Sequence, residues 1–338
     1  MLKNVIGKHG PVVTLGLVLL AGLVAPFADK STAVGFYVEV LLGGLMAGVL
    51  YSLVALGFAL IFKASGVFNF AQGAMVLFAA LAVARLGERM PLWAAMLLAM
   101  AIMVVLAWLI ERLVLRPLVN QEPVALLMAT LGVTYFLDGF GQTIWGSDIY
   151  SIELGIAKAP VMILEGLFQG GILVNKEDFV AAIVAAALVL GLAIFFQKTP
   201  TGRALRAVAD DHQAAQSIGI PLHRIWVIVW SVAGFVALVA GVIWGSKLGV
   251  QFSLSQVALK ALPVVILGGF TSVTGAIVGG LIIGVGEKMA EVFLGPVLVQ
   301  AFDLAGGGIE NWFAYMLALL FLLVRPEGLF GEKHIDRV

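Results

Sequence analysis

The polar residues that interrupt the apolar stretches of this chain are few, and most fall into three groups. Asn69 and Gln72 stand three apart, which places both amides on one helix face. There they can meet the head group of a zwitterionic solute, or bond across helices as amides do in membranes for about 0.6 kcal/mol. Thr271, Ser272 and Thr274 offer neutral hydroxyls inside a glycine-broken apolar run. They suit a passage that releases a zwitterion rather than grips it; equally, they can satisfy a broken backbone. Asp138 reads as the one acid well inside an apolar run. A charge at such depth costs about 2.5–3.5 kcal/mol, so it calls for a partner, a water path or a place near the external interface. No basic residue is expected at matching depth, which leaves ion coupling with little support.

The fourth informative piece is polar throughout. From Thr199 to Pro221 the chain can form a helix over about 202–217, with Leu205, Val208 and Ala209 at helical spacing and Gly219 and Pro221 to stop it. Arg203 and Arg206 make it basic. Ala214, Ala215 and Gly219 make a narrow surface that another protein can grip, although an amphipathic helix lying on a membrane would show the same pattern. Other chemistry is scarce. Cysteine is absent, so there is no disulfide, thiolate metal site or Cys nucleophile. His9, His212, His223 and His334 all lie outside the apolar runs, and no cluster of His, Asp and Glu forms within them, which argues against a membrane-embedded enzyme.

The elements that must position these residues are membrane spans. Of 338 residues 62% are hydrophobic and 12% charged, against about 25% charged in soluble domains, and mean hydropathy is +1.08. This excludes a water-soluble enzyme. The 20 basic and 20 acidic residues balance, so nothing points to nucleic acid. Apolar runs fall at about 12–28, 37–62, 67–87, 91–110, 125–146, 178–197, 225–246, 259–287 and 312–324. The expected fold is an all-α polytopic membrane protein with about eight transmembrane helices, one transmembrane domain over 1–338. The first run reads as an uncleaved span after Lys3, Lys8 and His9. Arg112 and Arg116, the loop 198–224 with Lys198, Arg203, Arg206 and Arg224, and the tail with Lys333 and Arg337 read as cytoplasmic; the acidic loop 147–177 reads as external. A single crossing by 259–287 would put the tail outside and Glu287, Glu291, Asp303 and Glu310 inside. A broken or re-entrant segment near 259–287, interrupted at Gly268-Gly269 and Thr271–Gly275, removes that conflict. Gly44 with Gly48, Gly275 with Gly279, and Gly280 with Gly284 are small-residue pairs suited to close helix packing. Gly43–Gly48 echoes Gly279–Gly284, a likeness short enough to arise by chance.

Two stretches resemble known proteins. Gln213-Ala214-Ala215-Gln216-Ser217-Ile218-Gly219 is similar to the coupling loop of ABC importer permeases, Glu-Ala-Ala, three residues, then Gly, with Gln213 in place of the Glu. Gly48–Phe62 running into Gly66–Gly73, then Arg116-Pro117-Leu118, Thr130-Leu131-Gly132, Leu267-Gly268-Gly269 with Gly275-Ala276 and Gly279-Gly280, and Arg325–Gly331 resemble, in order over roughly 40–332, permeases of branched-chain amino acid importers. Members often carry His where Gln72 stands, and an acid where Ala74 stands.

The resemblance implies half of a two-permease pore in a bacterial inner membrane, with both termini cytoplasmic. Its partners would be a second related permease, two ATP-binding subunits and an external substrate-binding protein. The chain has no Gly-x-x-x-x-Gly-Lys-Ser/Thr loop, so no cofactor is expected here and ATP belongs to the partners. Arg203, Arg206, Gln213, Ala214, Ala215 and Gly219 would couple to the ATPases, and Asn69, Gln72, Thr271, Ser272 and Thr274 would line the pathway. Leucine-like amino acids are the default solute; similar systems carry urea, short amides and small organic acids. The alternative is an ion-coupled carrier or channel for a small neutral solute, with Asp138 as its charged site.

Overall fold

The structure is a computed structural model that describes residues 34–66, 68–118, 121–166, 171–210, 212–303 and 308–331. The run 12–28 and the tail residues Lys333 and Arg337 lie outside these. The described chain is helical apart from one hairpin, and it divides into two compact units: one of residues up to 52 with 156–186 and 260 onward, the other of 53–155 with 187–259.

In the second unit, helix α2 (Gln72–Gly87) is the axis, buried along its length from Gln72 to Ala84. Around it pack α3 (Leu92–Ile110), α4 (Pro123–Trp145), α8 (Leu222–Leu248) and α9 (Ser253–Leu259). Small residues allow the close approach: a side chain at Gly241 would strike Val76 O, and one at Gly73 would strike Ser255 O. Helix α2 is shorter than the apolar run 67–87 because residues 68–71 are not helical. Sixteen residues reach about 24 Å, less than the ~30 Å of a hydrocarbon core.

Long helix α1 (Val34–Ser65) begins in the first unit. There it runs antiparallel to α11 (Val273–Met289): Gly44 faces Gly284 and Val285, Gly48 faces Gly280 and Leu281, and Ser52 Oγ lies 3.0 Å from Ile277 O. The echoing glycine segments therefore face each other, and their likeness serves one tight crossing. Helix α11 runs on through a π turn (Ala290–Leu294) into α12 (Gly295–Phe302), and α13 (Ile309–Val324) packs antiparallel to it, with Gly286 against Phe313 and Leu317.

The expected broken segment is present and longer than 259–287. The arms Ser253–Gly268, made of α9 and α10 (Ala261–Gly268), and Val273–Gln300 are bent by 116° at a break of residues 269–272. Among the described residues, five helices are long and apolar enough to cross a membrane, six with the bent pair as one span. Helices α2 and α13 are shorter apolar helices, so the count of about eight is approximate.

The loop 147–177, read from its charge alone, contains an antiparallel hairpin that was not anticipated, β1 (Pro160–Ile163) with β2 (Ile172–Asn175). Buried Ile172 and Val174 alternate with exposed Leu173 and Asn175, a period-two pattern. The Leu173 N–H donates to the Glu39 carboxylate near the start of α1 (3.1 Å). Helix α5 (Lys176–Lys198) follows, with Glu177 and Asp178 in its first turn and Lys198 in its last, each matched to the helix dipole. The helix expected over 202–217 begins earlier: the described residues are helical over α6 (Pro200–Asp210) and α7 (His212–Ser217). Thr199 sets the start, since its Oγ1 accepts from the Gly202 N–H (3.1 Å) and Pro200 suits the first helical position.

A Cβ at position 284 would lie 2.4 Å from Gly48 Cα, whereas one at position 43 meets nothing within 4 Å. Gly284→Ala should therefore destabilise by about 1–3 kcal/mol and Gly43→Ala should not. A drop in the melting temperature of the detergent-solubilised protein for the first variant alone is the expected result.

Candidate functional site

Non-helical backbone within a membrane protein survives only where its polar groups are satisfied by protein or by a wet cavity. The stretch 68–71 meets that demand with side chains. Asn69 and Gln72, both 0% exposed, come together, though not on one helix face as expected, since Asn69 precedes the helix that begins at Gln72: Asn69 Nδ2 donates to Gln72 Oε1 (3.4 Å). Asn69 Oδ1 accepts from the Ala71 N–H (3.0 Å), and Gln72 Nε2 donates to Ala233 O of α8 (3.2 Å). Gly57 leaves the space the Gln72 amide fills. Thr130 of α4 completes the set. Its Oγ1 accepts from the Phe70 N–H (3.4 Å) and lies 3.2 Å from Phe68 O. The sequence reading placed Thr130 in a family-like block without a role; nothing in its spacing links it to residue 70.

The second break is satisfied by backbone. Residues 325–331 fold back from the end of α13, where the Leu329 N–H donates to Leu267 O (2.8 Å) and the Phe330 N–H to Gly268 O (3.0 Å). Gly269 (φ 104°) and Gly328 (φ 81°) sit against each other in the left-handed region, where only glycine fits so close an approach. Ser272 caps α11, its Oγ accepting from the Gly275 N–H (3.0 Å). Thr271, Ser272 and Thr274 thus stand together beside the segment leaving α13, with Thr274 exposed. They belong to the first unit and Asn69 with Gln72 to the second.

One buried charge cluster was not anticipated from the sequence. Glu287, 6% exposed, sits on α11. Lys260 Nζ donates to its Oε1 (2.9 Å) and Tyr51 Oη donates to the same oxygen (3.2 Å). The run boundary at 287 hid it, because the acid then counted with Glu291, Asp303 and Glu310 as an external stretch. A second pair, Glu111 with Arg116, is bidentate (3.1 and 3.0 Å), with Glu111 1% exposed. Helical arithmetic sets positions five apart on different faces, but Glu111–Leu115 is a π turn, whose wider spacing aligns them.

The loop 199–221 is held at both ends. Arg206 donates to Phe196 O, and Arg203 to Lys198 O (3.4 Å), so both cations cover terminal carbonyls of α5. Leu205, Val208 and Ala215 are buried and Ala214 is exposed. Gln213 lies in α7. That helix ends in a Schellman motif: the Ile220 N–H donates to Ala215 O (3.0 Å), the Gly219 N–H to Gln216 O (3.0 Å), and Gly219 takes φ 86°. Below it opens a cleft of about 590 Å³ lined by Glu111, Arg116, Gln216, Gly219, His223 and Trp226, among others. Trp226 Nε1 donates to Ala64 O, closing the end of α1 (3.0 Å).

Several apolar spans, two broken helices with satisfied backbone and an amphipathic loop between α5 and α8 define a multi-pass membrane protein. A family model described as "Branched-chain amino acid transport system / permease component" matches residues 40–325, and the chain belongs to that family. Membership makes it a permease component of a transport system of several subunits. The high-affinity branched-chain amino acid transport system permease protein LivH of Salmonella typhimurium is 28% identical over 325 residues, 90% of this chain and 98% of that one. BraD of Pseudomonas aeruginosa, of the same description, is 28% identical over 320 residues, 89% and 98% of the two chains. Among solved structures, PsaBC from Streptococcus pneumoniae in complex with Fab gives a TM-score of 0.43 at 15% identity, over 86% of this chain and 94% of that one; a likeness that loose carries no argument.

Two outcomes test this geometry. Lys260→Met leaves Glu287 buried without its cation and should cost about 3–5 kcal/mol. The double variant K260M/E287Q should recover most of the lost thermal stability in detergent. Gly219→Ala forces a Cβ into the left-handed region at about 1–2 kcal/mol and should speed amide exchange at Gly219 and Ile220 without unfolding the spans.

Proposed function

We propose that this chain is one of two transmembrane halves of the pore of an ATP-driven importer in a bacterial inner membrane, moving branched-chain or related amino acids inward. The other half is a second, related permease. Two ATP-binding subunits lie on the cytoplasmic side, and an external binding protein delivers solute. The chain is not itself an enzyme and holds no cofactor; ATP is bound and hydrolysed by the partners. The observation that carries this reading is the family match across 40–325.

The loop 199–221 is the coupling element. Arg203 and Arg206 fasten α6 to the end of α5, and Pro221 leads directly into α8, so a push on α7 reaches two spans at once. Ala214 on the exposed side, Gln213 beside it and the Gly219 turn form the contact, while Ala215 anchors α7 inward. This fits an amphipathic helix seated in a partner's groove. Asn69, Gln72, Thr271, Ser272 and Thr274 serve the pathway by holding the two breaks open to rearrangement. Their polar groups are largely occupied within the protein, so selectivity rests on the binding protein. The bent pair supports the orientation read from charge: two arms return the chain to its starting side, which keeps both termini with the basic loops.

A second reading, an ion-coupled carrier, gains one observation, since Lys260 and Glu287 supply the in-membrane charges that such a carrier needs. The two readings separate in proteoliposomes. Chain, second permease, ATP-binding subunits and binding protein together should accumulate leucine only with ATP. Ala214→Asp should lower that uptake at least tenfold while the subunits still co-purify. Accumulation of leucine by the chain alone, without nucleotide, would overturn the proposal in favour of the carrier.

A further inference from the structure

The charges buried on the bent pair call for a reason other than stability. A buried ion pair contributes little relative to apolar residues of the same shape, and charges inside a membrane are costly and mark the routes of solutes and ions. Lys260 and Glu287 stand about midway along the two arms. Lys260 is seven residues from Ser253 and eight from Gly268; Glu287 is fourteen from Val273 and thirteen from Gln300. Each adjoins a distortion of its helix. Pro263 cannot donate to the carbonyl four residues back, and the first arm is interrupted at Lys260, between α9 and α10. The π turn Ala290–Leu294 starts three residues after Glu287, and such turns gather at functional sites.

The pair is only half used. Lys260 Nζ and Tyr51 Oη both donate to Glu287 Oε1, at 2.9 and 3.2 Å. Oε2 is shielded from solvent and meets no donor among the described residues. The ammonium has three N–H groups to give and makes one hydrogen bond among the described residues. The Lys260 side chain is 18% exposed against 8% for Glu287, so the cluster is reached from the lysine side. An idle carboxylate oxygen beside idle ammonium protons matches a solute that carries both charges itself. An α-amino acid can give its ammonium to Oε2 and take Nζ with its carboxylate, and no charge is then left unmatched. A single coupling ion would leave one member of the pair without a counter-charge. The run 12–28 contains no charged residue, so it offers a counter-ion to neither. The break after Gly268 lies about 12 Å along the arm from Lys260, and there Thr271, Ser272 and Thr274 present neutral hydroxyls to a head group that leaves the pair.

We propose that Lys260 and Glu287 form a transient site for the head group of a zwitterionic α-amino acid crossing the membrane, with Tyr51 holding the carboxylate in place. This rests on the reading of the chain as half of an importer pore. The site takes the head group common to such solutes, and the choice among side chains stays with the binding protein.

The test uses the assembled transporter in proteoliposomes and follows leucine uptake and ATP hydrolysis together. Glu287→Gln and K260M/E287Q leave the loop 199–221 unaltered, so hydrolysis should stay within twofold of the unaltered transporter while uptake falls at least tenfold in both. The glutamine of Glu287→Gln keeps an oxygen where Lys260 and Tyr51 donate, so this variant carries the test even if the double variant does not assemble. Uptake lowered less than tenfold by Glu287→Gln overturns the proposal and leaves the pore reading standing. So does a parallel fall of uptake and hydrolysis, which makes the pair a mechanical tie between helices. If the unaltered transporter does not accumulate leucine with ATP, the pore reading fails and takes this proposal with it.

Discussion

Where a helix stops inside a bilayer, the N–H and C=O groups it releases have no water to turn to. Among the described residues, helices break after Ser65 and after Gly268, and nearby polar groups answer both breaks. At the first, Asn69 and Thr130 accept from freed N–H groups, and Gln72 holds Asn69 in place. At the second, the backbone of residues 329 and 330 does so. Glycines at 57, 269 and 328 are the spatial consequence, since each lets a polar group come where a side chain would stand. The polar residues that looked from their types like contacts for a solute are thus engaged in holding the break itself.

The remaining charges follow the same logic of satisfaction. Glu287 lies against Lys260 and Tyr51, and Glu111 against Arg116. A buried pair of this kind gives little net stability relative to apolar residues of the same shape, yet losing one member is costly. Lys260 immediately precedes α10, Glu287 sits on α11 and Tyr51 on α1, so one carboxylate ties both sides of the bend to the helix crossing them. The crossing is itself set by glycines at 44, 48, 280 and 284, which bring backbone to backbone. Packing places the helices there, and the ion pair fixes their register.

Much of this was readable from residue order. Hydropathy located the spans, because a bilayer demands about 20 apolar residues from any helix that crosses it. Charge parity required the segment near 259–287 to break, and glycine and hydroxyl residues marked the place. What escaped was long-range or non-ideal. Thr130 meets Phe70 only once α4 has packed on α2, and no local pattern records that meeting. Arg116 reaches Glu111 through a π turn, which a 3.6-residue period does not foresee. Glu287 sat at the edge of an apolar window and was assigned to the outside by its acidic neighbours. In the loop, Gly219 was legible as a stop, but the helix start at Pro200 was not.

The bond between residues 329–330 and the carbonyls of Leu267 and Gly268 has a consequence for biogenesis. During translation the bend enters the membrane well before the segment that closes it exists, because α11, α12 and α13 must all be made first. Until then the Leu267 and Gly268 carbonyls lack the donors they meet in the finished fold, so the bend is sealed only by the last described stretch of the chain to be made.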